Sequence, residues 1–186
     1  MGSTASWWAS KARQFRAHLG ARVDPDERAG LAAWLTPAQL EVFDRMHVAD
    51  QRHGLDVVAT LRAHDGTIDA ADDPAMPPDD GVSVTPSEHD LLVAGLLHDA
   101  GKGSTGVVPR VAYSLGQAYG SWIWTVAGAV PGFGAPMARL RDHAELSALL
   151  AERAGCSPRT VELIRHQDEP VDLSDGRRLQ LADDAN

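Results

Sequence analysis

Apolar residues recur along this chain at the three- and four-residue spacing of helices that bury one side. Leu55, Val58 and Leu61 follow this spacing, and so do Leu146 and Leu150. No run of alternating β-branched residues bounded by turn signals interrupts the pattern. Because this period is that of an amphipathic α-helix, the sequence predicts an all-α protein.

Prolines mark the expected helix starts, because several of them directly follow a residue whose side chain can cap a helix. The pairs are Asp24-Pro25, Thr36-Pro37, Thr85-Pro86 and Ser157-Pro158. The first three also carry Glu or Gln three residues after the cap, as in a capping box. With the apolar spacing, these signals predict helices over residues 5–19, 25–34, 37–46, 50–63, 86–99, 108–127, 138–154, 158–167 and 177–185.

Two parts are expected along the chain. Residues 1–48 form a helical segment that packs on a core domain at residues 49–186. Within that domain, residues 64–84 are rich in Asp, Pro and Gly and predict a solvated acidic loop. The acidic pairs of this loop lack the spacing of a calcium loop, so a charged linker explains them better.

Composition excludes several classes of protein. The chain has 186 residues, of which 44% are hydrophobic, and its formal net charge is -9. These values are those of an ordinary globular protein, which excludes a disordered or collagen-like chain. The acidic balance argues against a nucleic-acid polymer as partner, whereas a local site can still bind a small phosphorylated substrate.

The N-terminal residues and the cysteine content predict the cellular location. The first residues have no apolar core of a secretion signal, and the single Cys156 excludes an intrachain disulfide. We therefore expect a cytoplasmic protein with a structural thiol. Residues 111–138 are uncharged but broken by Gly and Pro, so a core helix with a loop is favoured over contact with a membrane surface.

One of the three His-Asp dipeptides in the chain is a candidate metal-binding site. His98-Asp99 ends the apolar run LLVAGLL and is followed by Ala-Gly-Lys-Gly. A buried imidazole and carboxylate at a helix end are unfavourable unless something neutralises them, and a divalent metal does so. Mixed nitrogen and oxygen ligands suit manganese, iron, cobalt, nickel or zinc.

The run LLHDAGKG resembles the signature of the HD-domain metal-dependent phosphohydrolase superfamily, whose fold is a helical bundle around a metal site. DQRHGLDVVATL resembles the helix of the first ligand, and the terminal LADDAN resembles that of the last. The resemblance implies His53, His98, Asp99 and Asp183 as ligands of one metal. HAELSALLAERAG and VELIRHQDEP resemble the segments that add His143 and His166 in the branch with two metals.

The sequence also departs from patterns found in this superfamily. His166 is followed by Gln167, where members often carry a second His, and no Gly-Tyr-Pro tripeptide follows it. The Gly-Tyr-Pro phosphodiesterases are therefore not expected. Asp184 and Asp168 remain rivals of Asp183 for the late ligand. Four histidines match no position of the pattern and are expected to be structural or on the surface: His18, His47, His64 and His89.

The resemblance implies hydrolysis of a phosphomonoester or phosphodiester, such as a nucleotide, by a metal-activated water, with Asp99 between two ions. Lys102 is expected to contact phosphate oxygens or stabilise the leaving group, and Arg52 to assist in substrate binding. Other arginines are equal candidates for phosphate contacts: Arg110, Arg139 and Arg141. Trp122 and Trp124 are expected to pack in the core, with the wall of a substrate pocket as the alternative.

Two other functions remain open at this point. Di-iron oxygenases of the inositol-oxygenase kind share a similar six-ligand arrangement, which the chain also resembles. A binding or regulatory module of the same fold is the second, held to a membrane through residues 111–138 and the Trp7-Trp8 helix. Fold-level likeness does not choose among them.

Overall fold

The structure, a computed structural model, describes residues 21–68, 86–103 and 105–186. Within these ranges it contains ten α-helices, one 3-10 helix and no β-strand, which confirms the all-α prediction there. The α-helices are α1 (Pro25–Leu31), α2 (Pro37–Arg45), α3 (Val48–Ile68), α4 (Pro86–Leu97), α5 (Val107–Tyr119), α6 (Trp122–Gly128), α7 (Gly134–Arg141), α8 (His143–Arg153), α9 (Pro158–Arg165) and α10 (Asp175–Ala185). The 3-10 helix is Ala100–Lys102. The predicted helix over residues 5–19 lies outside the described residues.

Capping side chains begin three of these helices as the sequence predicts. Capping boxes start α1 at Asp24 and α2 at Thr36. At α9, Ser157 Oγ accepts a hydrogen bond from the Thr160 backbone N–H at 3.0 Å. The same hydroxyl donates to the Asp90 carboxylate at 2.7 Å, so this cap also ties α9 to α4. Thr85, the fourth predicted cap, lies outside the described residues.

Several predicted boundaries are wrong, and three of the differences change the layout of the helices. The expected helix over 108–127 is two helices, because Gly120 has φ +120°, a conformation that favours glycine and ends α5. The expected helix over 138–154 begins earlier and divides at Asp142, where the backbone leaves the helical region. Residues 64–68, expected in the acidic loop, continue α3, and residues 69–85 lie outside the described part.

The core is centred on α4. Every residue from Leu91 to Ala100 is buried, and α3, α9 and α10 pack around this helix. Leu31 and Phe43, from α1 and α2, belong to the same buried cluster as Leu96. A helical segment that is apolar on all sides, as residues 91–97 are, is stable only when neighbours cover it. His98 and Asp99, which directly follow this segment, are therefore buried as well.

Residues 111–138 do not follow the expectation of a core helix with a loop. Helices α5, α6 and α7 pack on one another, yet Val111 is 43% exposed, Trp122 64% and Val126 60%. The core placement predicted for Trp122 is therefore wrong. None of the helices in the described ranges has both the length and the apolarity needed to cross a bilayer.

Gly101 provides a test of how closely the turn after α4 packs on α8. A Cβ at this position would lie 2.3 Å from the His143 carbonyl oxygen and 2.7 Å from the Ser147 nitrogen, both backbone atoms. We expect Gly101→Ala to lower the free energy of unfolding by about 1–3 kcal/mol, since backbone must move to admit the methyl group. Urea unfolding followed by circular dichroism measures the change.

Gly30 is the matched control, because a Cβ there meets nothing within 4 Å in helix α1. Gly30→Ala is expected to stabilise the protein by up to about 1 kcal/mol through helix propensity. An unchanged urea midpoint for Gly101→Ala would contradict the packing described here.

Candidate metal centre

His98 and Asp99 lie in the turn that follows α4, with exposed fractions of 1% and 2%. The His98 Nδ1 atom lies 2.9 Å from the Gly95 carbonyl oxygen. A carbonyl oxygen only accepts, so this contact makes Nδ1–H the donor. In the neutral imidazole it leaves the lone pair on Nε2, the arrangement of a histidine that binds a metal.

His53 and Asp183 approach the same point from α3 and α10. The His53 Nε2 atom lies 2.7 Å from Asp183 Oδ1, and His98 Nε2 lies 3.4 Å from the same oxygen. His98 Nε2 is also 3.5 Å from Asp99 Oδ1. Ligand atoms of His53, His98 and Asp99 all lie within 4.8 Å of one another, a grouping that could hold a metal ion.

His143, the first residue of α8, repeats the arrangement of His98. Its Nδ1 atom lies 2.8 Å from the Leu140 carbonyl oxygen, three residues earlier in the chain. Its Nε2 atom lies 3.7 Å from Asp99 Oδ1, and the side chain is buried. His143 therefore borders the group of His53, His98 and Asp99 on the side of Asp99.

Lys102 supplies a cation to this buried group. Its Nζ atom lies 2.6 Å from Asp99 Oδ2, and a quarter of the side chain remains exposed. Burial alone would lower the pKa of Lys102, but the adjacent Asp99 carboxylate raises it above its ordinary value. The ammonium group is therefore held in its charged form beside the histidines.

Two ligand atoms at the centre have no hydrogen-bond partner within the described residues, although both are buried. They are His98 Nε2 and Asp99 Oδ1. Buried polar atoms are nearly always paired, so an orphaned nitrogen and oxygen side by side require an explanation. A cation coordinated by imidazole nitrogens and carboxylate oxygens satisfies both atoms, and the donor set fits a first-row divalent metal.

Charges within the cluster shift its pKa values in opposite directions. Burial alone would lower the pKa of His98, but the Asp99 and Asp183 carboxylates raise it to about 9. Burial raises the pKa of Asp99, but Lys102 and His98 outweigh it, and the pKa lies below its ordinary value. For His143, burial and the Lys102 charge hold the pKa below 6.5. Without a metal, His98 thus carries the proton that balances the carboxylates.

The late carboxylate in contact with the histidines is Asp183. Its neighbour Asp184 is exposed, and Asp168 is exposed on the loop after α9. Within the described residues, neither Asp184 nor Asp168 forms an ion pair with His53 or His98. Alternation around a helix explains the difference between the adjacent residues 183 and 184, because consecutive positions point about 100° apart.

His166 lies at the C-terminal end of α9 and is half-buried. It lines a shallow depression together with Arg159, Pro170 and Asp172. No described contact joins it to the metal cluster, and its role as a ligand stays a prediction. Its neighbour Gln167 is buried instead, with Nε2 donating to the His98 carbonyl at 3.2 Å and Oε1 without a described partner.

The predicted role of Arg52 in substrate binding also stays a prediction. Its guanidinium pairs with Glu27 at 2.7 Å and with Asp56 at 2.8 Å. Both partners lie outside the cluster, and together they occupy the cation.

Arg110 has a role that the sequence did not indicate. Its guanidinium forms a two-pronged pair with the buried Asp50 carboxylate, at 2.5 and 2.7 Å. It also donates to the Gly103 and Thr105 carbonyls. Arg110 thereby fixes the segment after Lys102 against α3. The one available signal was that Asp50 precedes His53 by three residues, which places both on the same side of a helix.

A cavity of about 460 Å³ lies among α5, α6 and α7. Tyr113 and Trp124 line it with rings stacked at 5.2 Å, and Trp124 Nε1 donates to the Tyr113 carbonyl. Burial and Asp168 raise the pKa of Tyr113, whereas the Lys102 and Arg141 charges oppose the shift. Trp124 thus lines a cavity, the alternative that the sequence had left open.

Comparisons of the chain with models of protein families, with curated proteins and with solved structures found no match.

The pKa of His98 predicts how the metal-free protein responds to pH. Because the folded value, about 9, lies above the ordinary 6.5, the stabilisation is fully present below pH 6.5 and lost as pH rises through 9. We expect the melting temperature in EDTA to fall across this interval more steeply for the wild type than for His98→Gln.

His89→Gln is the matched control, because His89 is half-buried and bonds to the Trp34 carbonyl away from the cluster. It is expected to keep the wild-type pH profile. A wild-type profile that His98→Gln leaves unchanged would refute the assignment of the proton to His98.

Proposed function

We propose that the protein is a metal-dependent phosphohydrolase of the HD-domain kind, which cleaves a phosphomonoester or phosphodiester such as a nucleotide. One observation carries the proposal. The buried His98 Nε2 and Asp99 Oδ1 atoms have no described hydrogen-bond partner, and they lie beside His53, Asp183 and a lysine cation. The resemblance of LLHDAGKG to the superfamily signature supports the same function independently of these contacts.

The residues proposed to hold the metal are His53, His98, Asp99 and Asp183, and His143 is the nearest candidate for a second ion. A divalent metal bound there supplies a Lewis acid and lowers the pKa of a coordinated water, which are the two requirements for attack on phosphorus. The Nδ1–H bonds of His98 and His143 orient the imidazoles, so that Nε2 stays available.

Lys102 is proposed to stabilise negative charge on the substrate. Its ammonium pairs with Asp99, and a quarter of the side chain is exposed, which supports the approach of a phosphate oxygen to this lysine. A charge-assisted hydrogen bond to a phosphate oxygen strengthens as charge develops in the transition state. Arg110, through Gly103 and Thr105, holds the backbone that carries this lysine.

The cavity beside Tyr113 and Trp124 is proposed to receive the organic part of the substrate. Its wall combines the stacked aromatic pair with the exposed Arg141 guanidinium. Such a lining suits a flat or apolar group that carries an anionic substituent. The influence of the Lys102 charge on the pKa of Tyr113 supports a position near the proposed site of reaction.

The adjacent carboxylates Asp183 and Asp184 allow a matched test of metal binding. Asp183→Asn is expected to lose bound metal and turnover because it removes a charged ligand from the histidines, and Asp99→Asn is expected to do the same. Asp184→Asn should keep both, since its side chain is exposed. Metal content per chain is measured by mass spectrometry on protein purified without a metal resin, and turnover with p-nitrophenyl phosphate, its diester and nucleotides.

Retention of metal by Asp183→Asn and Asp99→Asn would contradict the proposed centre. Two metal equivalents per chain would favour His143 and His166 as additional ligands, and one equivalent would leave them structural. Iron together with substrate-dependent oxygen uptake, and no phosphoester cleavage, would replace hydrolysis by the oxygenase chemistry.

Lys102→Ala separates metal binding from catalysis. We expect kcat to fall by about 10²–10³, the scale of one lost electrostatic contact in a transition state, with metal content unchanged. Lys102→Arg, which keeps the charge, is expected to recover part of the rate. Wild-type kcat in Lys102→Ala would show that this cation takes no part in the reaction.

A further inference from the structure

Arg139, on helix α7, reaches the turn that follows the candidate metal ligands. Helix α7 packs on the 3-10 helix of this turn. A Cβ built on Gly103 would lie 2.8 Å from the Nη1 atom of Arg139 and 3.4 Å from its Cδ atom. The Arg139 guanidinium therefore lies against the glycine that directly follows Lys102, in space that a side chain at position 103 would occupy.

Gly103 has two arginines beside it, and they differ in what neutralises their charge. Arg110 donates to the Gly103 carbonyl at 3.1 Å, and its guanidinium is paired with the buried Asp50 carboxylate. Arg139 is exposed, and among the described residues no carboxylate lies within ion-pair distance of it. One arginine fixes this backbone, and the other keeps a charge that a ligand can use.

The sequence around Arg139 is free of carboxylates. Residues 100–141, which run from the 3-10 helix to the end of α7, contain no Asp or Glu, although the whole chain has 26 of them. The next acidic residue, Asp142, pairs with Arg141 at 3.1 Å. An unpaired guanidinium next to the proposed metal ligands therefore favours an anionic partner from outside the chain.

Helix α7 contributes to the cavity among α5, α6 and α7 as well as to this turn. Ala138 and Arg141 of α7 line the cavity. Consecutive helical positions point about 100° apart, so Arg139 leaves the same turn of α7 in another direction, toward Gly103. The cavity proposed for the organic part of the substrate and the Arg139 cation thus belong to adjacent positions of one helix.

We propose that Arg139 binds the phosphate group of the substrate and selects a phosphomonoester over a phosphodiester. The inference rests on the proposed hydrolase function and decides between the two classes of ester named there. A guanidinium forms paired hydrogen bonds to two phosphate oxygens, and Lys102 adds a point charge. A monoester offers three terminal oxygens to these groups and to the metal, whereas a diester offers only two.

The charges of the site also match a monoester. When a divalent ion is bound, Asp99 and Asp183 together balance it, so Lys102 and Arg139 are left with two uncompensated positive charges. A phosphomonoester carries about -1.5 to -2 charges at pH 7, because its second pKa is about 6. A diester has no second proton to lose and carries a single negative charge. The monoester therefore neutralises both cations, and the diester neutralises one.

Arg139→Gln tests the proposal in the full chain. We expect kcat/KM for p-nitrophenyl phosphate to fall by about 10- to 100-fold, the scale of hydrogen bonds to a charged group. For bis(p-nitrophenyl) phosphate, kcat/KM is expected to change by about threefold at most, so that the preference for the monoester collapses. Arg139→Lys, which keeps the charge but loses the paired donors, is expected to recover part of the loss.

Binding of inorganic phosphate provides a measurement that needs no turnover. By titration calorimetry, phosphate affinity is expected to be about tenfold weaker in Arg139→Gln than in the wild type, with metal content unchanged. Arg153→Gln is the matched control, because Arg153 is an exposed arginine at the opposite end of α8 from His143. It should keep wild-type affinity and rates, and circular dichroism checks that every variant is folded.

Wild-type phosphate affinity and monoester kcat/KM in Arg139→Gln would overturn the proposal. An equal loss in Arg153→Gln would reduce the effect to net charge and remove the assignment to Arg139. A wild type that prefers the diester, or an equal loss on both esters in Arg139→Gln, would refute selection of a monoester. Protein that cleaves neither ester, yet binds phosphate in a manner that Arg139→Gln weakens, would refute the hydrolase function and support the phosphate site.

Discussion

The structure depends on the burial of two polar residues at the end of the apolar part of helix α4. Residues 91–97 of this helix are all buried, so His98 and Asp99 lie where water does not reach them. An isolated carboxylate at such a position is very unfavourable. Lys102 and histidines from other helices stabilise the Asp99 carboxylate, and the proton on His98 also balances its charge when no metal is bound. Helices α3 and α10 are therefore joined by charge as well as by packing, and His143 brings α8 to the same group.

The turn after α4 is held from both sides. On one side, Gly101 packs against the first turn of α8, and its N–H donates to the Ser147 hydroxyl at 2.8 Å. On the other, Arg110 joins the backbone of this segment to the buried Asp50. A buried ion pair of this kind is costly to break, because removal of one partner leaves the other charge unpaired. Lys102 and Asp99 thus lie on backbone that is fixed at both ends.

Local signals in the sequence predicted the helical class and several helix starts, because caps act within one turn. They did not predict that α5 ends at Gly120 or that the chain turns at Asp142, since an isolated glycine or aspartate is also found inside helices. Trp122 was predicted to lie in the core, but composition does not show which apolar residues a fold leaves exposed.

The candidate site was predictable only in part. His53 and Asp183 are 130 positions apart in the chain and in contact in the structure. Helical periodicity does not predict this pairing, which was inferred from the resemblance to the superfamily. Arg110 and Gln167 were not assigned these roles, since an arginine within an uncharged stretch and a glutamine in place of a histidine carry no local signature. Their partners, Asp50 and the His98 carbonyl, become visible only when the helices are assembled.

The shared anchoring of His98 and His143 has a consequence for assembly. Each imidazole is aimed by the carbonyl three residues before it, so its orientation is set within a single turn of chain. Little rotamer entropy then remains to be lost when the helices meet, because the rings are already aligned. The affinity of the centre for a cation would accordingly be governed by how firmly the 3-10 helix after α4 packs on α8, and less by the ordering of the side chains themselves. Substitutions in this packing are where metal affinity would be tuned.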